Sequence, residues 1–305
     1  MGRRTVYDGI TPYKGVTPMR ISDILRDDKV RLSCEVFPPK KFDGFAQVCE
    51  ITREIAALKP AYMSVTYGAA GSTPGHTLAV AQAVQESGVT PLCHLTCVQS
   101  TKEHVTRVLS DMKAAGMENV LALRGDLPAS GETCRDFAYA SELVEFIHTQ
   151  GNFCVGAACY PEGHPESGSR MADLDHLKRK VDAGVDFLTT QMFFDNGILY
   201  NFLYRCLRAG IDVPVCAGIM PICDPKQVKR AVQLSGSIMP PRFAAIADRF
   251  AHDPQAMAQA GIAYATEQII DLVANGVNNI HLYTMNKPWI ARKIVENLSS
   301  IIHMS

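Results

Sequence analysis

Glu35, His94, Arg124, Asp126, Tyr160, His164 and Gln191 share one habit: each stands inside or just after a short apolar run. Glu35 lies within Arg31-Leu32-Ser33-Cys34-Glu35-Val36-Phe37, where a carboxylate is costly unless it is exposed, paired or used. A carboxyl in that setting suits general acid chemistry, because apolar surroundings favour its protonated form; the plainer reading is an edge-strand glutamate facing water. His94 interrupts Thr90–Val98 and reads either as a hydrogen-bonded core residue or as part of a site. The run Asn119–Leu123 stops at Arg124-Gly125-Asp126-Leu127-Pro128, a turn that either carries a solvated ion pair or delivers both charges to a site. The run 152–160 ends in Tyr160-Pro161-Glu162-Gly163-His164-Pro165-Glu166, an ordered and chemically equipped loop. Asp173, His176 and Lys178-Arg179-Lys180 follow in a helical pattern, and from the residues alone that cationic cluster is a solvated face.

Residues so far apart need a scaffold that gathers them. Eight strand-like runs, 31–37, 61–67, 90–98, 119–123, 152–160, 185–192, 213–219 and 279–284, alternate with helical patterns, and no linker or composition shift interrupts them. Parallel strands need crossover helices, and eight of them close the sheet, so the pattern predicts a single (β/α)8 TIM barrel over 21–305. A doubly wound open sheet is the alternative. Residues 1–20, with two Thr-Pro pairs and no periodicity, read as an irregular N-terminal arm. Residues 224–275 hold three helical patterns, hence extra helices before the last strand. In such a barrel the carboxyl ends of the strands build the site, which gathers Glu35, Thr66, His94, Asp126, Tyr160, Gln191 and Tyr283 on one face.

The rest of the sequence excludes whole classes of function. Thirty basic against thirty-one acidic residues leave no electrostatic footprint for nucleic acid or an anionic membrane. Six of the ten cysteines fall in strand-like runs, where a free thiol behaves as a small hydrophobe; that usage suits a reducing cytoplasm. No Cys-x-x-Cys pair occurs and no metal site is expected. The charged start Met1–Val6 is followed by no apolar h-region and no run reaches the length of a membrane span, so neither a signal peptide nor a span is expected. The loop Gly68-Ala69-Ala70-Gly71-Ser72 is no dinucleotide fingerprint, and no Walker sequence occurs. The strands hold no lysine for a Schiff base, which disfavours a lyase of that type.

The chain resembles the catalytic domain of methylenetetrahydrofolate reductases over about 21–303. The resemblance rests on Glu35-Val36-Phe37-Pro38-Pro39-Lys40, Ser64-Val65-Thr66-Tyr67-Gly68, His94-Leu95-Thr96-Cys97, Ala122-Leu123-Arg124-Gly125-Asp126-Leu127-Pro128, the Tyr160–Glu166 loop, Leu177–Gly184 and Thr190-Gln191-Met192-Phe193-Phe194-Asp195. It implies a flavoenzyme that binds FAD, takes a hydride from NADH or NADPH and reduces 5,10-methylenetetrahydrofolate to 5-methyltetrahydrofolate. Glu35 matches the family's acid, which protonates N10 as the folate ring opens to an iminium cation. Asp126 matches its carboxylate near flavin and pterin, and Gln191 its pterin-reading amide. Thr66, Tyr67, Ala69, His94, Arg124, Gly125, Asp126, Ala140, Tyr160, His164, Asp173, His176, Arg179 and Lys180 fall on cofactor positions. Asp126, Tyr160, Gln191, Gln227 and Lys287 fall on substrate positions. Two matches depart from the pattern: Lys287 stands where an arginine is frequent, and Ala231 where an aromatic is expected. A homo-oligomer is the implied assembly, and the alternatives to the reductase are a flavin-bearing subunit fed with electrons by a partner protein and a flavin-free pterin-dependent transferase or lyase barrel.

Overall fold

Eight short runs of mostly Val, Leu, Ile, Ala and Cys form the strands: β1 (Arg31–Val36), β2 (Met63–Val65), β3 (Pro91–Thr96), β4 (Asn119–Leu123), β5 (Cys154–Cys159), β6 (Phe187–Thr190), β7 (Val215–Ile219) and β8 (Asn279–Tyr283). The computed structural model describes residues 19–39, 44–67, 74–126, 136–228, 231 and 238–302. Each strand pairs in parallel with the next, and β8 returns to β1 in register from Arg31–Asn279 to Glu35–Tyr283, so the sheet closes. The expected (β/α)8 barrel is therefore the fold, and the open doubly wound sheet is excluded. Closure also removes the edge on which Glu35 could have faced water.

The helices are α1 (Ile21–Ile24), α2 (Phe45–Ala56), α3 (Pro74–Glu86), α4 (Lys102–Ala114), α5 (Ala140–Gln150), α6 (Arg170–Asp182), α7 (Asn196–Arg208), α8 (Pro241–Arg249), α9 (Pro254–Ala274) and α10 (Pro288–Asn297). Their starts follow the sequence: Thr101, Ser169, Asp195 and Asp253 each accept a backbone N–H of the first turn. Gly116 and Gly184 stop α4 and α6 with φ of 71° and 108°, which glycine adopts without a Cβ clash. Strand and helix bounds differ from the sequence pattern by a few residues; β2 is the shortest, although Thr66 N still donates to Val36 O at 3.2 Å.

Period two sorts the side chains of each strand. Leu32, Cys34 and Val36, with Met63, Val65, Leu95 and their counterparts, pack outward beneath the helices. The inward set is split by depth. At the amino-terminal end Tyr62, Leu92, Leu121, Cys154, Phe187 and Cys216 fill the barrel and meet Ile21, Ile24 and Leu25 of the α1 segment, which plugs it. A four-residue helix cannot persist alone. Burying those three aliphatic side chains stabilises its docking by about 2 kcal/mol each, and Asn119 ties it down by accepting Ile21 N and donating to Met19 O. Nearer the carboxyl end the interior turns polar, with Ser33, Glu35, Ser64, His94 and His281 all buried.

The extra helices between β7 and β8 form their own small core, in which Phe194, Ile222, Ala231, Phe243, Ala247 and Met257 pack together. Tyr264 and Gln268 of α9 donate to the carbonyls of Phe194 and Phe193, which fastens this addition to the loop after β6. Among the described residues no helix is long and apolar enough to cross a membrane, and no group of His, Cys, Asp and Glu is arranged to hold a metal.

Candidate active site

A cleft of about 1250 Å³ opens at the carboxyl ends of the strands. Its lining includes Glu35, Thr66, Tyr67, His94, Arg124, Gly125, Asp126, Ala140, Tyr160, His164, Asp173, His176, Arg179, Lys180, Gln191 and Tyr283, so residues from seven strand ends meet there. Ala69 lies outside the described residues, as do residues 1–18 of the expected arm. Gln227 and Lys287 are not part of the lining. Gln227 is turned onto the loop after β7, where its Oε1 accepts Cys223 N at 3.0 Å, and Lys287 occupies the position before α10, close enough to Cys223 to act on it electrostatically.

Glu35 is 6% exposed at the floor of the cleft. Its Oε2 is 3.5 Å from His94 Nε2, 3.9 Å from His281 Nε2 and 3.4 Å from Ser64 Oγ. Burial pushes the His94 imidazole down to about 4, against a smaller upward pull from Glu35, so His94 is neutral in the working range. Its Nε2 lies within ion-pair distance of Glu35 yet makes no hydrogen bond. The Thr66 and Thr189 hydroxyls, also on the lining, are likewise buried without a partner. The β1 backbone beneath the acid is held from β8: Thr284 Oγ1 donates to Glu35 O at 2.6 Å, and the Asn286 amide both accepts from Phe37 N and donates to Phe37 O at 2.9 Å.

The Arg-Gly-Asp turn after β4 depends on its glycine. Gly125 has φ of 85°, and a Cβ there would lie 3.0 Å from Thr96 Cβ. Arg124 pairs with Glu166 across the mouth, not with Asp126, through two bonds of 2.6 and 2.7 Å; Asp126 is exposed at the rim. The loop after β5 is folded on itself. Tyr160 packs edge-on against His164 at 4.6 Å, His164 Nδ1 accepts Glu166 N, and Ser167 Oγ donates to Asp173. Burial raises the Tyr160 phenol to about 12.

The cationic cluster of α6 divides. Lys178 pairs with Asp182 on the outer face, the solvated role expected of it, whereas Arg179 and Lys180 line the cleft. Lys180 Nζ donates to Ala158 O at 2.6 Å, and burial lowers its pKa, with Cys159 and Asp173 pulling the other way. Tyr139, Ala140 and Ser141, at the start of α5, also line the cleft, and a helix amino terminus favours an anion.

Ser33, Ser64, His281, Thr189, Glu166, Thr284 and Asn286 are site-forming residues that the sequence reading did not single out. A signal existed for some of them: Ser33 and Glu35, Ser64 and Thr66, His281 and Tyr283 are polar at every second position of otherwise apolar strands, which marks a polar inner face.

Fold and site together define a (β/α)8 barrel enzyme whose chemistry sits at the carboxyl ends of its strands. The model of the family described as methylenetetrahydrofolate reductase matches residues 20–299. The chain is 33% identical over 271 residues to the 5,10-methylenetetrahydrofolate reductase of Escherichia coli, covering 88% of this chain and 91% of that one. It is 32% identical to the enzyme of Pectobacterium carotovorum, over 88% of this chain and 90% of that one. It is 35% identical to methylenetetrahydrofolate reductase (NADH) 1 of Zea mays, over 92% of this chain and 50% of that longer protein. This chain belongs to the methylenetetrahydrofolate reductase family. A solved structure from Clostridium thermocellum, described as an uncharacterized protein that binds two copies of 5-methyl-5,6,7,8-tetrahydrofolic acid, shares the fold with a TM-score of 0.64 at 14% identity, covering 92% of this chain and 99% of that one.

Proposed function

We propose that this protein reduces 5,10-methylenetetrahydrofolate to 5-methyltetrahydrofolate with FAD held in the cleft and NADH or NADPH as reductant. The observation that carries the reading is the company Glu35 keeps: a buried carboxyl shares one cleft with three buried polar atoms, Thr66 Oγ1, His94 Nε2 and Thr189 Oγ1, that lack hydrogen-bond partners. Each such atom costs about 1–3 kcal/mol while unsatisfied, so their convergence favours a polar ligand that completes them. FAD fits the remaining features. Arg124, Arg179 and Lys180, with the start of α5, would receive its pyrophosphate, and Thr66, Tyr67, His94, Gly125, Ala140, Tyr160, His164, Asp173 and His176 would enclose the rest. When bound, the flavin supplies the hydride.

The chain's own residues would manage charge and protons. Glu35 would give its proton to N10 as the five-membered ring of the folate opens, a role that suits a carboxyl kept from water. Asp126 would lower the energy of the cationic iminium that results. Gln191 Oε1 is engaged by Met192 N at 2.9 Å, which leaves its NH₂ group to donate to the pterin edge. Tyr160 would border the pterin, while Gln227 and Lys287, which follow β7 and β8 in the chain, would meet the folate tail, Lys287 as a point charge without the guanidinium fork.

NADH is favoured as reductant by the plant relatives named for it. A partner-fed version of the same reading draws on Ala231, which is 2% exposed within the Phe243 cluster and presents no aromatic ring at the match. Anaerobic mixing of the flavin-loaded protein with NADH or NADPH separates the two: bleaching of the oxidised-flavin spectrum supports direct reduction, and an unresponsive flavin supports the partner. Stopped-flow measurement of Glu35→Gln then tests the acid. Flavin reduction should persist and folate reduction should be lost; equal slowing of both steps defeats the assignment.

A further inference from the structure

Tyr283 of β8 lines the cleft, yet the proposed reaction gives it no part. Its hydroxyl donates to Thr190 O of β6 at 2.5 Å, although β7 lies between the two strands. Gly218 of β7 makes the crossing possible. A Cβ there would lie 2.7 Å from both the Tyr283 hydroxyl oxygen and its ring, and 2.4 Å from Thr190 O, so a side chain at 218 would part the two groups. The bond stands where the sheet has run out. β5 and β6 pair as far as Cys159–Thr190, and β7 and β8 as far as Ile219–Leu282, but β6 and β7 pair only at Leu188–Val215 and Thr189–Cys216. Beyond that point Gly218 N donates to the Thr190 side chain, to Oγ1 at 2.8 Å, and the Thr190 carbonyl is left to Tyr283. Thr190 is fully buried, where an unsatisfied carbonyl would be costly. Burial holds the Tyr283 phenol well above its ordinary value, so the hydroxyl keeps the proton that it donates.

That carbonyl belongs to the peptide that carries Gln191. On its other side the same peptide donates Gln191 N to Cys159 O at 2.7 Å, so its plane is held from β5 through the N–H and from β8 through the C=O. The Gln191 side chain is oriented in turn by Met192 N, which donates to Oε1, and its NH₂ group is the part proposed to meet the pterin. Resting on that reading of Gln191, we infer that Tyr283 is a positioning residue for folate binding: from across β7 it fixes the Thr190–Gln191 peptide, and through that peptide the Gln191 amide. A site group has to be held within about 0.5 Å of its productive place, and a peptide tethered from one side only can tilt about its tether. Tyr283→Phe keeps the ring against Gly218 and His281 and removes the brace alone.

The test is the dissociation constant of 5-methyltetrahydrofolate for the FAD-loaded enzyme, measured for wild type, Tyr283→Phe, Gln191→Ala and the double variant, with flavin occupancy read by absorbance and the folate half-reaction followed by stopped flow. Tyr283→Phe should weaken folate binding by about three- to tenfold with flavin content intact. The half-saturating folate concentration should rise while the rate at saturation is kept, the mark of lost uniform binding. Because Tyr283 acts through Gln191, its substitution should weaken binding no further in the Gln191→Ala background. Gly218→Ala parts the same hydroxyl and carbonyl while Tyr283 stays in the chain; it should reproduce the weakening, and it carries the test if Tyr283→Phe does not fold. The inference is overturned by folate binding that is unchanged in Tyr283→Phe while Gln191→Ala weakens it. It is overturned also by a weakening that adds in full to that of Gln191→Ala, which would make Tyr283 a folate contact in its own right, and by loss of FAD together with folate, since the brace would then hold the whole mouth and not Gln191. If Gln191→Ala leaves folate binding intact, the reading of Gln191 as the pterin amide fails and this inference falls with it.

Discussion

If Arg124 receives the pyrophosphate of FAD as proposed, Glu166 would compete with it for the guanidinium, and Glu166→Gln measures the competition. Two parallel bonds of 2.6 and 2.7 Å join the guanidinium to the carboxylate. That hydrogen-bonded contact is the chief reason that the Glu166 carboxyl is held below its usual range and the Arg124 guanidinium above its own. Water limits what the pair is worth, since the two side chains are 26% and 53% exposed. Exposed pairs contribute about 0.2–1 kcal/mol, and bidentate geometry places this one near the top of that range. A pyrophosphate that takes Arg124 must break the pair and then lie beside a freed carboxylate. Removing the charge should therefore tighten FAD binding by about 1 kcal/mol, about fivefold in Kd. Titration of the cofactor-free protein with FAD, followed by flavin fluorescence, reads the change, and the gain should shrink as salt is added. The sign of the pH dependence follows from the lowered carboxyl. The pair is fully formed above the ordinary carboxylate range and is lost only as pH falls through the depressed value, so wild-type affinity should gain nothing from this source near neutrality. Weaker FAD binding by Glu166→Gln would refute the reasoning, because Glu166 would then be holding Arg124 in place for the ligand.

Asp126→Asn should raise the flavin potential and slow the folate step by ~10²–10³-fold, more than it slows flavin reduction; a redox titration with an unchanged or lowered potential counts against a carboxylate near the flavin. Gln191→Glu should weaken folate binding by about 1–3 kcal/mol, roughly ten- to a hundredfold, with flavin content intact. Loss of FAD with unchanged folate binding would move Gln191 to the cofactor. Gly218→Ala would place a Cβ 2.4 Å from Thr190 O and 2.7 Å from the Tyr283 ring, pushing the phenol off the carbonyl to which it donates. Overpacking of this kind costs about 1–3 kcal/mol and should lower the urea midpoint at constant slope, whereas an unmoved midpoint would show that the inner wall yields.

The fold was legible because eight apolar runs alternating with helical patterns have few other ways to bury themselves, and because Gly116 and Gly184 mark helix ends through their backbone freedom. The rim of the site was legible for a related reason: Arg124, Asp126, Tyr160 and Gln191 follow directly on runs that had to be strands. What stayed hidden depends on register and rotation. Reading 31–37 as an apolar run averages its two faces, so Ser33 vanished beside Leu32 and Cys34. Nothing local says that Ser33, Ser64 and His281 meet, since that requires β1 to pair with both β2 and β8. The partner of Arg124 lies 42 residues on, and its neighbour Asp126 was the natural but mistaken guess. In the Lys178-Arg179-Lys180 cluster, a rotation of 100° per residue sends one lysine to solvent and the other to the cleft, and the helix is too polar for periodicity to show which.

Closure of the barrel does more than remove an edge, because it sets the last strand beside the first and lets each constrain the other. Glu35 is on β1, and the groups that fix its backbone, Thr284 and Asn286, follow β8. To aim the Asn286 amide at both backbone groups of Phe37, the chain adopts left-handed conformations at two successive residues, Met285 with φ of 51° and Asn286 with φ of 54°. Asparagine tolerates that region, but methionine has no local hydrogen bond to offset it, and such a residue costs about 1–3 kcal/mol. The three bonds to β1 are of the right size to offset the cost, at about 1 kcal/mol each. They would be superfluous for a strand already held by ladders on both sides. They make sense for one whose carboxyl has to stay fixed in a polar interior while a substrate comes and goes, because a shift of β1 would change every distance from Glu35 to Ser64, His94 and His281 at once.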